Sequence, residues 1–243
     1  MLNIEKAKGC TRLTINRPER KNALNAATGA QLLEALQQVE ADPSVRCVVI
    51  TGAGGTFSAG RDLREAASAE LDSSLRHHDN WSAVFEVLQR LHCPSVAVVR
   101  GYAVAGGFTL TMGCDFMLAH RDAKFGALEM NNGFPAAVCT PLLANKAGPR
   151  LGLEFALFGQ LLDAQRLHHA GLINLLAADD EELDSMEAQF VGRILALDML
   201  AVRQTIETFR AARGMPISQA MTVGRHLNQL LDASGKFGGG MPK

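Results

Sequence analysis

The chain has 243 residues, of which 47% are hydrophobic and 20% charged, enough apolar material to bury a sizeable core. Its net charge of -1 argues against nucleic acid as the main partner, since phosphate binding needs a clustered basic surface. No stretch approaches the roughly 18 apolar residues needed to span a bilayer, and the first residues lack the apolar run of an export signal, so a cytoplasmic chain with no membrane partner is expected.

In chain order, residues 10–16 alternate like a half-buried strand, and Lys8-Gly9 predicts a turn back from a strand over 2–7. Asn16-Arg17-Pro18-Glu19-Arg20 breaks that pattern. Asn25 is placed to cap a helix in which Leu32, Leu33, Leu36 and Val39 recur at helical spacing, and Asp42-Pro43 ends it. A short apolar strand over 45–51 runs into Gly52-Ala53-Gly54-Gly55, whose look of a phosphate loop is not followed by the Lys-Ser/Thr that such a loop needs. Residues 64–80, rich in Ala, Ser, Glu and His, read as a variable, mobile segment. A second cycle follows, with a helix over 82–91, a stop at Pro94, a buried strand over 95–100 and another glycine loop over 101–107. This order predicts an α/β fold of stacked β-β-α units with largely parallel sheets, rather than a Rossmann sheet. Later, amphipathic helices are expected over 180–197, 198–213 and 218–233, which divides the chain into a core of residues 1–180 and a helical segment of residues 181–243.

Two stretches carry the chemistry, Thr56-Phe57-Ser58-Ala59-Gly60-Arg61-Asp62-Leu63 and Gly101-Tyr102-Ala103-Val104-Ala105-Gly106-Gly107-Phe108. Each follows a buried strand and precedes a helix. Glycine lets a backbone approach a ligand closely, and the first N–H groups of a helix have no internal partner. Two such turns converging could grip one oxygen that becomes negative during a reaction. A single glycine turn more commonly serves only to reverse the chain, so it is the pair that is informative.

The order and spacing of these loops, with Asn16-Arg17-Pro18 and Asn22-Ala23-Leu24-Asn25 upstream and Cys114-Asp115 downstream, resemble the enoyl-CoA hydratase/isomerase, or crotonase, family. Ala123-Lys124-Phe125-Gly126 and Ala170-Gly171-Leu172-Ile173-Asn174 extend the resemblance over roughly residues 1–180. It implies a crotonase (ClpP-like) spiral of β-β-α units with a C-terminal helical trimerisation segment, assembled as a homotrimer or homohexamer. It implies an acyl-CoA substrate and no separate cofactor, coenzyme A being part of the substrate. The N–H groups of Arg61 and Gly106 would hold the thioester oxygen, and Glu129 would act as acid or base. Ala23, Ala59, Asp62, Leu63 and Thr109 would line the substrate and CoA path, while Lys236 and Phe237 would touch the CoA nucleotide. Arg17, Arg20 and Lys21 could meet its phosphates.

Hydratases of this family handle water with two glutamates, one just after the second glycine cluster and one after the Phe-Gly stretch. In this sequence the first position is Thr109 and the second is Glu129. Two carboxylates can hold and split a water, whereas one suits moving a proton between carbons, so double-bond isomerisation is expected. The alternatives are hydration, with Thr109 placing a water and Asn131 or Asn132 orienting the substrate, hydrolysis or decarboxylation of an acyl-CoA, and an acyl-CoA-binding homologue without turnover. Dienoyl-type isomerases carry a further acid at the position of Ala137, which disfavours that subclass. No metal is expected, because His77-His78 and His168-His169 are adjacent rather than spaced along one helix face. Ser58 and Ser95 lack a nucleophile elbow. The five cysteines, odd in number and without a CxxC pair, read as reduced thiols.

Overall fold

The computed structural model describes residues 1–68 and 70–233. The chain opens with a hairpin of β1 (Leu2–Ala7) and β2 (Cys10–Ile15), in which Leu2 pairs with Ile15 across an antiparallel ladder. Lys8 and Gly9 both take positive φ, as a two-residue hairpin turn demands. Alternation in β2 turns Thr11, Leu13 and Ile15 inward. Asn25 then caps α1 (Ala26–Ala41) by accepting the Thr28 N–H at 2.9 Å, and Leu32, Leu36 and Val39 are buried on its inner face.

From here the chain repeats one unit. Strand β3 (Cys47–Gly52) leads through a parallel bridge at Ser58 to α2 (Leu63–Ser68) and α3 (Leu71–Arg90). Strand β4 (Ser95–Val99) leads through β5 (Tyr102–Val104) to α4 (Gly106–Gly113). Strand β6 (Phe116–His120) leads through β7 (Lys124–Gly126) to α5 (Cys139–Lys146) and α6 (Gly148–Phe158). After β8 (Leu162–Asp163) and α7 (Ala164–His169), β9 (Leu175–Ala177) closes the core. The first strand of every unit joins a six-stranded sheet ordered β1-β2-β3-β4-β6-β9, parallel from β2 onward, and β5, β7 and β8 form a smaller sheet. The expected spiral of β-β-α units is therefore present. Strands β3 and β4 are buried almost throughout, as parallel strands covered on both faces must be.

Helix α8 (Asp180–Ala196) covers one face of the large sheet, setting Leu183 and Ile194 against Cys47, Val49, Val96, Val98 and Leu118. An Arg12–Glu187 ion pair ties it to β2. The compact unit accordingly runs from Met1 to Ala196, past the boundary expected at residue 180, because α8 completes the core. From Leu197 on, the described residues make a second unit, in which α9 (Met199–Ala212), capped by Asp198, packs against α10 (Ile217–Ala233). The helix expected over 82–91 begins earlier, and much of the segment read as mobile is helical, because Trp81, Val84, Phe85 and Leu88 form one continuous buried face. Among the described residues no helix is long and apolar enough to cross a membrane, and the five cysteines are free thiols.

Candidate active site

Both glycine loops meet backbone to backbone. Leu24 donates to Gly60 O at 2.7 Å and accepts from the Asp62 N–H at 3.0 Å, which leaves the intervening Arg61 N–H on the opposite side of that rung. That side faces the second loop. A Cβ built on Gly106 would lie 3.7 Å from the Arg61 nitrogen, and one built on Gly60 would lie 3.0 Å from the Gly106 nitrogen. Gly106 is the first residue of α4, so its N–H has no partner within the helix. Among the described residues neither N–H is used in a backbone hydrogen bond. The Arg61 and Gly106 nitrogens thus both lie where the two loops meet.

Close approach explains two of the glycines. At Gly60 φ is +84° and a Cβ would come within 2.7 Å of the Ala105 side chain, and at Gly107 a Cβ would come within 2.5 Å of Ser58 O. Between the loops, Ala105 holds φ 49° and ψ -124°, a conformation that costs a non-glycine residue about 1–3 kcal/mol. Three bonds hold it there: its N–H donates to Gly126 O at 2.7 Å, and its carbonyl accepts from the Thr109 N–H at 3.0 Å and the Thr109 hydroxyl at 3.1 Å. Asn22, fully buried, braces the first loop by accepting the Arg17 N–H at 2.8 Å and donating to Ala53 O at 2.8 Å and Thr56 O at 2.6 Å.

Glu129 opens a short 3-10 turn three residues beyond β7, whose Gly126 carbonyl is the one anchoring Ala105. Its Oε2 is buried without a hydrogen-bond partner. Burial pushes the carboxyl above its ordinary range, offset in part by a hydrogen bond from its own main chain. Phe125 is fully buried, whereas Met130 and Phe134, near Glu129 in the chain, are exposed. Cys139, at the start of α5, has a thiol close to both the Thr109 hydroxyl and Glu129, and burial raises that thiol to about 12, so it stays protonated. Thr109 itself is 1% exposed and spends its hydroxyl proton on Ala105 O.

Other residues singled out from sequence fall unevenly. The N–H groups of Ala23, Ala59 and Asp62 already donate to Arg20 O, Lys21 O and Leu24 O, so the backbone these residues could still offer a ligand is carbonyl oxygen. Leu63 is exposed at the start of α2. Arg17 turns inward, donating to Ala23 O at 2.5 Å and to Asp62 Oδ2 at 3.0 Å. Burial raises the Asp62 carboxyl, but the Arg17 hydrogen bond and the N–H groups of Glu65 and Arg64 outweigh it and hold the group below its ordinary value. Ser58 and Ser95 are buried supports, bonded to Asn22 O and to Asp115 respectively. Among the described residues no His, Cys, Asp and Glu cluster could hold a metal. Lys236 and Phe237 lie outside the described residues.

The enoyl-CoA hydratase/isomerase family model matches residues 5–241. The chain belongs to that family. It is 32% identical over 223 residues to the 2,3-dehydroadipyl-CoA hydratase of Escherichia coli strain K12, covering 91% of this chain and 86% of the relative. It is 36% identical over 196 residues to the 1,2-epoxyphenylacetyl-CoA isomerase of the same strain, covering 78% and 73%. The crystal structure of a Mycobacterium smegmatis enoyl-CoA hydratase superposes with a TM-score of 0.89 at 28% identity, over 100% of this chain and 98% of that one. The fold is thus that of the crotonases, and the chain belongs among their enzymes. What sequence reasoning missed in this crotonase site are the supports: Asn22 as a brace, Cys139 beside Glu129, and the first turns of α3. Asn22 stood in a quoted motif, and Trp81 and Val84 at i and i+3 would have lengthened α3, but nothing local linked Cys139 to Glu129.

Proposed function

We propose that this crotonase shifts a double bond along the acyl chain of an enoyl-CoA thioester. In this reading the carbonyl oxygen sits between the Arg61 and Gly106 N–H groups, which make the neighbouring C–H acidic by stabilising the enolate; one such donor is worth about 3–4 kcal/mol. Glu129 takes that proton as its carboxylate, the electron pair moves onto the carbonyl oxygen and through the conjugated bonds, and the same proton returns to another carbon. The carboxylate is regenerated and no water is consumed. A base with a raised pKa suits this work, being strong enough to take a carbon proton and acidic enough to return it. The observation that carries the reading is Thr109, buried and bonded to Ala105 O where a hydratase would present a second carboxylate.

Hydration is the second reading, favoured by the hydratase name of the relative at 32% identity. Incubating the protein with a 3-enoyl-CoA and a 2-enoyl-CoA in heavy-oxygen water separates the reactions by mass spectrometry. Isomerisation moves the bond at constant mass, hydration adds a labelled hydroxyl, and hydrolysis frees coenzyme A; label entering as a 3-hydroxyacyl product would overturn the preferred reading. For assembly we propose a homotrimer or a pair of trimers, supported by the exposed apolar Phe209, Ile217, Met221 and Leu230 on α9 and α10. Light scattering would show a single chain if that is wrong.

A further inference from the structure

Arg61 lends its main chain to the proposed oxyanion site, which leaves its side chain unaccounted for. The guanidinium donates from Nη2 to Ser74 Oγ at 3.2 Å and places Nη1 3.3 Å from His78 Nε2, both on α3. Among the described residues it forms no ion pair with a carboxylate. Arg61 lines a small pocket with Asp62, Glu65, Ser74 and His77, and its two acids are engaged elsewhere, Asp62 with Arg17 at 3.0 Å and Glu65 with the Ala26 N–H at 2.9 Å. His77, also at that pocket, is held below the ordinary imidazole range by burial and then by the Arg61 charge, so it brings no second cation at neutral pH.

Guanidinium is charged at every working pH and offers five N–H donors in a rigid fork, of which the Ser74 hydroxyl takes one and the His78 ring stands against another. Such a fork, without a carboxylate of its own protein among the described residues, keeps donors with the geometry to hold an anionic ligand. Its position says which part of the ligand. The Arg61 N–H faces the thioester oxygen in the proposed reaction, and its side chain runs to α3, whose Trp81 ring would stand 3.5 Å from a Cβ on Gly106. α3 therefore forms a wall beside the carbonyl end of the acyl group.

We propose that the Arg61 guanidinium, backed by Ser74 and His78, recognises a carboxylate on the acyl chain, so that the preferred substrates are CoA thioesters of dicarboxylic acids. This rests on the proposed function for the position of the thioester oxygen. Phosphate groups of coenzyme A present the same anionic chemistry, and the test must separate the two.

Titration calorimetry on the full-length protein compares glutaryl-CoA and adipyl-CoA with pentanoyl-CoA and hexanoyl-CoA. The dicarboxylic thioesters bind wild type at least about tenfold more tightly. Arg61→Leu removes that preference, Ser74→Ala reduces it, and circular dichroism confirms the fold of each variant. Arg61→Lys, which keeps charge but loses the fork, retains part of it and serves if the leucine variant does not fold. With the corresponding pantetheine thioesters the preference persists. Equal affinities in wild type, or a preference that survives Arg61→Leu, overturn the proposal. So does a variant that weakens every CoA thioester alike and leaves pantetheine thioesters unaffected, since Arg61 would then read the nucleotide phosphates. Binding is measured without turnover, so the readings fail separately: equal binding with an intact isomerase sinks only this inference, and discrimination without conversion sinks only the proposed reaction.

Discussion

The Arg61–Gly106 side of the site and the Glu129 side are held by different means. On the first, Asn22, Ser58 and Thr109 tie main-chain groups at Ala53, Thr56, Gly60 and Ala105, and glycines let the two loops approach so closely that a Cβ at Gly107 would fall 2.5 Å from a carbonyl oxygen. On the second, the carboxylate stands on a short 3-10 turn flanked by exposed Met130 and Phe134, with one oxygen buried and unpartnered. Backbone donors must be fixed before the reaction begins, because their value lies in needing no reorganisation. A proton carrier gains from the reverse, since a partner for Oε2 would lower its basicity. In the proposed reaction, the rigid half supplies the enolate stabilisation and the sparse half the proton transfer.

Glu129→Gln tests that division most severely. The amide has nearly the shape of the carboxylate but cannot take the proton, so turnover should fall by about 10²–10⁴-fold while acyl-CoA affinity stays near that of wild type. An unchanged rate in a steady-state assay removes Glu129 from the chemistry. Next comes the rigid half: Gly60→Ala introduces a side chain at φ +84° within 2.7 Å of the Ala105 Cβ, so the two loops must part. Misplacing one donor should cost about 10²–10³-fold in kcat. If kcat holds and only KM rises, the loops position substrate without stabilising the enolate.

Asn22→Ala sharpens the comparison from the side of stability. It strips partners from the Arg17 N–H, Ala53 O and Thr56 O at a fully buried position, and should lower unfolding free energy by about 1–3 kcal/mol in urea titration. Thr109→Val keeps the volume and removes only the hydroxyl bond to Ala105 O, for about 0.5–1.5 kcal/mol. A steep loss of turnover in that variant would show that the hydroxyl handles substrate or water.

The same contrast explains what the sequence made legible. Strand-to-glycine-loop order is written locally, so the hairpin, α1, β3, β4 and the first loop fell where alternation and caps placed them. The loop expected over 101–107 instead holds the short strand β5 and the start of α4, because Tyr102–Val104 pairs with β7 from farther along the chain. Asn22 could not be recognised as a brace, because its partners lie over thirty residues away and its role depends on closing the loops onto each other. The boundary at residue 180 was drawn where a run of amphipathic helices begins, whereas Leu183 and Ile194 join the sheet core through contacts that periodicity does not reveal. The 64–80 segment misled for a related reason: polar residues on the outer side of α3 hid the inner face that Trp81 begins.

The smallest expected effect concerns the unpartnered oxygen. Burial holds the Glu129 carboxyl above its ordinary value of 4.5 in the folded chain. Between that value and the folded one, the native state binds more protons than the unfolded state, so this group makes stability fall as pH rises through the window. Above the window the cost is fully present, and below it the cost vanishes. Glutamine carries no charge to desolvate. Glu129→Gln should therefore match wild type in urea midpoint at acid pH and exceed it slightly at neutral pH, with the gap opening as pH climbs past the ordinary carboxylate range. A gap that stays constant with pH would mean that the charged carboxylate is solvated or paired in solution, and the sparse half of the site would then lose the feature that makes Glu129 a base.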